Sequence, residues 1–127
     1  MDSEAIKKAV HDILVAVGED PTREGLSTTP DRVAELFADL YSGVGVDPVS
    51  VLRDATAVPA GESERGDMVA LRDISFISLC EHHLLPFEGF ASVVYEPRAA
   101  IVGLGTLATV VEVTARRPQL QERVGEM

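Results

Sequence analysis

The first half of the chain has apolar residues at helical spacing. They recur three or four positions apart over residues 6–17 and again over 33–40, which predicts two amphipathic helices. Gly18 is expected to end the first helix. Thr29-Pro30 is expected to begin the second, with Thr29 capping its backbone amides and Pro30 at the first helical position.

The pattern changes after a long connection over residues 44–66, in which we expect a short helical turn near Pro48. Residues 68–79 and 90–95 are rich in branched and aromatic side chains and predict two strands, the second continuing over 99–102. Helices are predicted over residues 105–117 and from about Gln119. The interpretation is an α+β protein with a helical N-terminal region and connector, 1–66, and a sheet-containing region, 67–127.

Composition narrows the choice of partners. The net charge of −10 repels polyanions, so binding to nucleic acid is not expected. The chain has neither an apolar run long enough to span a membrane nor the basic, apolar start of a signal peptide, and its single cysteine cannot form an internal disulfide. These features predict no membrane partner and a cytoplasmic location.

Cys80-Glu81-His82-His83 is the segment with the most specific chemistry. Cys80 and His83 have the i, i+3 spacing that allows two side chains to reach one zinc ion, which accepts thiolate and imidazole ligands. A catalytic zinc usually has three protein ligands, so a third group is needed. An isolated Cys-x-x-His pair more often binds no metal. The surrounding residues are therefore needed to choose between a zinc site and a pair that only packs in the fold.

Four blocks together resemble the GTP cyclohydrolase I family, in that family's order and spacing. They begin at Glu19, Thr29, Cys80 and Ala115, and read EDPTREGL, TPDRVA, CEHHLLPF and ARRPQLQER. The resemblance implies a tunnelling fold, in which helical segments precede an antiparallel sheet with helices on one face. Here the fold is partial, because the family's closing strand hairpin has no counterpart. Subunits of the family assemble into rings with active sites at subunit boundaries.

The resemblance also implies the site and the reaction. Cys80 and His83 correspond to zinc ligands, and His82 to the residue that transfers protons. Gln121 and Glu122 match the pair that recognises guanine. The reaction is a zinc-dependent hydrolytic opening of the imidazole ring of a guanine nucleotide, with loss of formate, leading to a pterin in the pathway to tetrahydrofolate.

Two departures from the family pattern affect these expectations. Where the family carries Ser-Lys-Leu-Ala-Arg to hold the triphosphate, this chain has Gly105-Thr106-Leu107-Ala108-Thr109. Losing two or three charged hydrogen bonds, each worth about 1.5–3 kcal/mol, weakens GTP binding by roughly three orders of magnitude. A purine with fewer phosphates is therefore a candidate substrate. The family's third zinc ligand, a cysteine beyond the matched blocks, is also missing.

Two functional hypotheses follow. The chain is a zinc-dependent cyclohydrolase, or it is an inactive or half-site subunit that assembles with a complete or complementary cyclohydrolase chain. The third zinc ligand would come from a neighbouring subunit, a separate partner chain or residues outside this sequence. A sheet with an open edge and two long strands predicts an obligate homo- or hetero-oligomer.

Overall fold

A computed structural model describes residues 1–54, 58–59, 67–97 and 100–126. The chain forms two compact units, Met1–Ser42 and Gly43–Met127. The division predicted between residues 66 and 67 falls at the edge of a stretch, 60–66, that lies outside the described residues, so it stays a prediction.

The first unit consists of two helices, α1 (Ser3–Ala16) and α2 (Thr29–Leu40). Both contain the predicted apolar stripes, and the Lys7 ammonium joins them through a 3.0 Å ion pair with Asp31. The prediction that Thr29 caps α2 is wrong, because the N-cap residue is Thr28. The preceding turn already directs the Thr29 amide to the Leu26 carbonyl, so Thr29 enters the helix as its first residue.

The second unit contains the sheet. Its elements in chain order are α3 (Pro48–Asp54), β1 (Val58–Pro59), β2 (Val69–Cys80), β3 (Pro86–Tyr95), β4 (Ala100–Ile101), α4 (Leu104–Ala115), β5 (Pro118–Gln119) and a 3₁₀ helix (Gln121–Glu126).

The main sheet has the strand order β3-β2-β5 and is mixed. β2 and β3 form an antiparallel hairpin, whereas β5 runs parallel to β2. α4 packs on β2 and contributes most of the buried apolar residues of this unit, including Leu107, Val111 and Ala115. The predicted α+β class, with helices preceding and packing on an open sheet, is confirmed. The prediction that the sheet is antiparallel is wrong, because β5 continues from the end of α4 parallel to β2.

Three boundaries differ from the sequence pattern. β3 begins at Pro86, four residues early, because Pro86 already pairs with Leu79 across the hairpin. β4 pairs with β1 and is a separate strand, so it does not extend β3; position 99 lies outside the described residues. Gln119, expected to begin a helix, is instead the second residue of β5.

A bulge interrupts the register of β2. Between the pairs Leu71↔Val93 and Ile74↔Ala91, β2 has one residue more than β3, and Asp73 takes a left-handed conformation with φ 56°. Positions 72 and 73 are both exposed, and the alternation of half-buried and exposed side chains restarts at Ile74. A bulge of this kind moves every later side chain of a strand to the opposite face.

None of the helices in the described part of the chain has the length and apolar character needed to cross a membrane. This agrees with the absence of a long apolar run in the sequence.

Candidate active site

A closed turn carries the cysteine and histidines. Cys80 is the last residue of β2, and its amide donates to the Leu85 carbonyl at 2.8 Å. The Leu84 amide donates back to the Cys80 carbonyl, also at 2.8 Å. Leu84 adopts φ 57°, a conformation that costs a residue with a Cβ roughly 1–2 kcal/mol. The two reciprocal bonds offset this cost and fix the loop that presents His82 and His83.

The turn brings Cys80 and His83 together. The Cys80 Sγ and His83 Nδ1 atoms are 3.8 Å apart. Tetrahedral zinc with bonds of about 2.3 Å to sulfur and about 2.0 Å to nitrogen would place these atoms roughly 3.6 Å apart. The pair therefore fits a shared zinc ion with little rearrangement. Cys80 is half-buried and both histidines are exposed, so the site opens to solvent.

His82 lies beside this pair without sharing its geometry. The His82 and His83 rings are 6.2 Å apart between centroids and nearly perpendicular, at 80°. His82 is thus a close neighbour of the candidate ligand His83. Among the residues that the structure describes, no group of three side chains is arranged to hold a metal.

The short strand β5 links this turn to the proposed guanine-binding pair. Cys80 pairs with Gln119 in the parallel ladder, and the Glu81 amide donates to the Gln119 carbonyl at 3.1 Å. Paired strands lie about 4.8 Å apart, and two residues span at most about 7 Å, so the Cα of Gln121 is within roughly 12 Å of the Cα of Cys80. Glu122 follows in the exposed first turn of the 3₁₀ helix.

The C-terminal end of α4 is closed by residues of the same segment. A helix leaves its last four carbonyls without helical partners. Here the carbonyls of residues 112 and 115 accept from the backbone amides of Arg116 and Arg117. The Arg117 guanidinium donates to the Val113 carbonyl, and Gln119 Nε2 donates to the Thr114 carbonyl at 3.0 Å. All four carbonyls are therefore bonded, and β5 starts from a fixed helix end.

The N-terminal end of α4 has no cationic side chain in its first turns. Gly103 is the N-cap residue, and the Thr109 hydroxyl donates to the Gly105 carbonyl at 3.0 Å. The arginines of this segment, Arg116 and Arg117, follow the helix, about 18 Å away along its axis at 1.5 Å per residue. They cannot replace cations at the helix start.

Gln121 borders a cavity of about 480 Å³ between the sheet and α4. Phe76, Phe87, Val110 and Val124 also line it, so its walls are largely apolar. A second cavity of about 500 Å³ lies beside Glu88, Glu112 and Arg116. Within the described residues, neither lining includes Glu122 or the Cys80–His83 turn.

The sequence-predicted residues thus fall into two groups. Cys80, His82 and His83 share one turn, and Gln121 and Glu122 share one helical turn. β5 joins the groups, but no contact between them is seen in the described residues. Sequence reasoning missed Gln119 and the hydrogen bonds from the Arg117 guanidinium to the Val113 and Val46 carbonyls. The only signal available was that both residues lie within the ARRPQLQER block.

The family model of GTP cyclohydrolase I matches residues 6–127. The chain therefore belongs to the GTP cyclohydrolase I family. It is 50% identical over 125 residues to the GTP cyclohydrolase 1 of Dehalococcoides mccartyi strain BAV1, covering 97% of this chain and 64% of the relative. The GTP cyclohydrolase 1 of Acetivibrio thermocellus is 49% identical, with 98% and 65% covered, and that of Rhodopirellula baltica 49%, with 98% and 52% covered. The chain spans less than two thirds of the length of these relatives.

Proposed function

We propose that this chain supplies the metal-binding and base-recognising part of a GTP cyclohydrolase I-type active site. The reaction at that site opens the imidazole ring of a guanine nucleotide or related purine. The observation that carries this proposal is the 3.8 Å separation of Cys80 Sγ and His83 Nδ1 in a turn fixed by two backbone bonds. Zinc bound by these two side chains would polarise water and lower its pKa toward neutrality.

His82 is the proton-transfer residue of this proposal. It is exposed on the same turn, and its ring stands at 80° to that of His83. An imidazole ring can both accept and donate a proton, so His82 can accept a proton from the attacking water and return one to the departing ring nitrogen. Its position next to the candidate ligand His83, with the two ring planes nearly perpendicular, suits this role.

Gln121 and Glu122 are the proposed purine-binding residues. A carboxylate can accept together from the N1 and exocyclic amine hydrogens of guanine, a bidentate and charge-assisted contact. Glu122 is exposed and available for it, while Gln121 borders the apolar cavity beside α4. The link through β5 supports one site that combines these residues with the Cys80–His83 turn.

The substrate carries fewer phosphates than GTP in this proposal. The first turns of α4 have one glycine and two threonines, Gly105, Thr106 and Thr109, where the family pattern places its serine and two cations. The nearest arginines of the segment lie at the other end of the helix. Backbone amides at the start of α4 remain available to one anionic group. Guanosine and its monophosphate are therefore the preferred candidates.

Zinc content and turnover test the proposal together. Purified chain is assayed for bound zinc and for formate and pterin released from GTP, GDP, GMP and guanosine. Cys80→Ser and His83→Ala should lose zinc and turnover, whereas His82→Ala should keep zinc and lose turnover. Wild-type chain that binds zinc but releases no product from any of these purines, alone or with a complementary chain, would refute the enzymatic proposal.

The second candidate is a subunit that completes its site with another polypeptide. Two observations favour it: the described residues contain no three-ligand cluster, and β3 is an edge strand ten residues long. An exposed edge is a template for pairing with another chain. The chain would then be an obligate hetero-oligomer in which a complementary chain donates the third ligand.

Co-expression with a full-length relative distinguishes the two candidates. Stable co-purification, with zinc and turnover appearing only in the mixed assembly, would support a half-site subunit. Turnover by this chain alone would contradict that candidate. A mixed assembly without turnover from its hybrid sites would identify an inactive subunit.

A further inference from the structure

We infer that Gln119 is a positioning residue that holds the Cys80–His83 turn in register with α4 and with the Gln121–Glu122 pair. The inference rests on the proposed function, because it concerns how the two halves of that site are joined. Gln119 is 6% exposed, among the most buried polar residues described in the second unit.

Gln119 makes contacts in two directions. Its side-chain Nε2 donates to the Thr114 carbonyl at the end of α4, and its backbone carbonyl accepts from the Glu81 amide in the metal-site turn. The first bond orients the residue on the helix, and the second transmits that orientation to the turn. Because Gln121 is only two residues further on, these two hydrogen bonds of Gln119, which together form its anchor, also set where the 3₁₀ helix begins.

The neighbouring contacts make this anchor specific to the turn. The Ser78 hydroxyl donates to the Arg117 carbonyl at 3.3 Å, so β2 holds the start of the connection independently. In the described part of this connection, it is the Gln119 carbonyl that reaches past the end of β2, to the amide that follows Cys80. Without the bond from Nε2 to the Thr114 carbonyl, Gln119 would keep its ladder partner Cys80 but lose this connection to the end of α4.

A purely structural role as a helix cap is the alternative, and Arg117 provides the matched comparison. Its guanidinium also satisfies one terminal carbonyl of α4, that of Val113, but its side chain reaches towards Val46 and away from the turn. Gln119→Met and Arg117→Met each remove the side-chain hydrogen bonding to one terminal carbonyl of α4. Both variants place the same unbranched, apolar side chain at the substituted position.

Hydrogen exchange of the Glu81 amide in metal-free protein is the first test. In Gln119→Met this amide should exchange about three- to tenfold faster than expected from the change in global stability, the ratio that corresponds to one lost hydrogen bond. Arg117→Met should show no such excess. Gln119→Asn, whose amide is too short to reach Thr114, should behave like Gln119→Met and serves if the latter does not fold. An equal excess of Glu81 exchange in both variants, or no excess in either, would overturn the inference.

Zinc affinity, measured by competition with a chromophoric chelator, is the second test. Loss of a residue that orients a metal ligand typically costs 10–100-fold in affinity, and we expect about tenfold for Gln119→Met and no change for Arg117→Met. A Gln119→Met affinity equal to that of the wild type would contradict the inference. If the wild-type chain binds no zinc, either alone or in a mixed assembly with a complementary chain, the proposed function fails, and the exchange experiment still decides the role of Gln119.

Discussion

Replacement of Arg117 by methionine should destabilise the second unit by about 2–3 kcal/mol. The guanidinium donates to two carbonyls, Val113 at the end of α4 at 3.1 Å and Val46 in the connecting segment at 2.8 Å. A hydrogen bond from a charged group contributes about 1.5–3 kcal/mol, and because Arg117 is only half-buried we take the low end for each bond. Methionine keeps the apolar stem and leaves both carbonyls to water.

Arg116→Met is the matched control, with an expected cost below about 1 kcal/mol. Arg116 forms an i, i+4 ion pair with Glu112, in which the Arg116 side chain is 22% and the Glu112 side chain 56% exposed. Helical pairs with this spacing contribute roughly 0.3–0.5 kcal/mol. Urea unfolding of both variants, followed by amide NMR signals of β2, should place the Arg117→Met midpoint about 1–2 M below the wild type. Equal midpoints for the two variants would show that the bonds from Arg117 contribute no more than a surface charge.

Three further predictions follow from other sites. Gly43→Ala should destabilise the protein by about 1–3 kcal/mol or more, since the new Cβ would lie 2.1 Å from the Val113 carbonyl oxygen. Gly105→Ala, in open space within α4, should stabilise it by about 0.5–1 kcal/mol. Thermal unfolding measures both changes. Hydrogen bonds from the Thr22 hydroxyl and amide lower the pKa of the Asp20 carboxyl. Its ionised form therefore stabilises the fold above about pH 4, and this contribution is lost as the pH falls further. An acid titration of stability should therefore be flatter for Asp20→Asn, and identical curves would contradict the assignment. The double variant Thr106→Lys/Thr109→Arg should bind GTP at least about a hundredfold more tightly relative to guanosine, measured by calorimetry. An unchanged ratio of the two affinities would show that the phosphates do not bind at the start of α4.

The elements that the sequence predicted well are those whose signal is local. α1 and α2 follow from apolar spacing, and the turn after Cys80 follows from a block of adjacent residues. The Cys80–His83 geometry was predictable because both side chains lie within one turn of chain. The capping of α2 was not, since it depends on the path of the preceding loop, where the Thr29 amide reaches Leu26.

The contacts that organise the site could not be predicted because their partners are backbone groups distant in sequence. Arg117 bonds to the carbonyl of Val46, 71 residues away, and the Gln119 carbonyl meets an amide at position 81. Periodicity carries no information about such pairs. Gln119 in particular resembles a helix-starting residue by sequence, and only the parallel pairing with Cys80 makes it a strand residue.

The bulge at Arg72–Asp73 determines the side of the sheet from which Cys80 projects. Residues 74, 76, 78 and 80 lie on the same face as residues 69 and 71 only because β2 carries one extra residue before Ile74. Deleting that residue would restore a regular ladder and move Cys80 to the opposite surface, away from its present neighbours. In evolutionary terms, this stretch should tolerate substitution far better than a change in length by one: a single insertion or deletion would reverse the strand's later half, and a second one nearby would restore it.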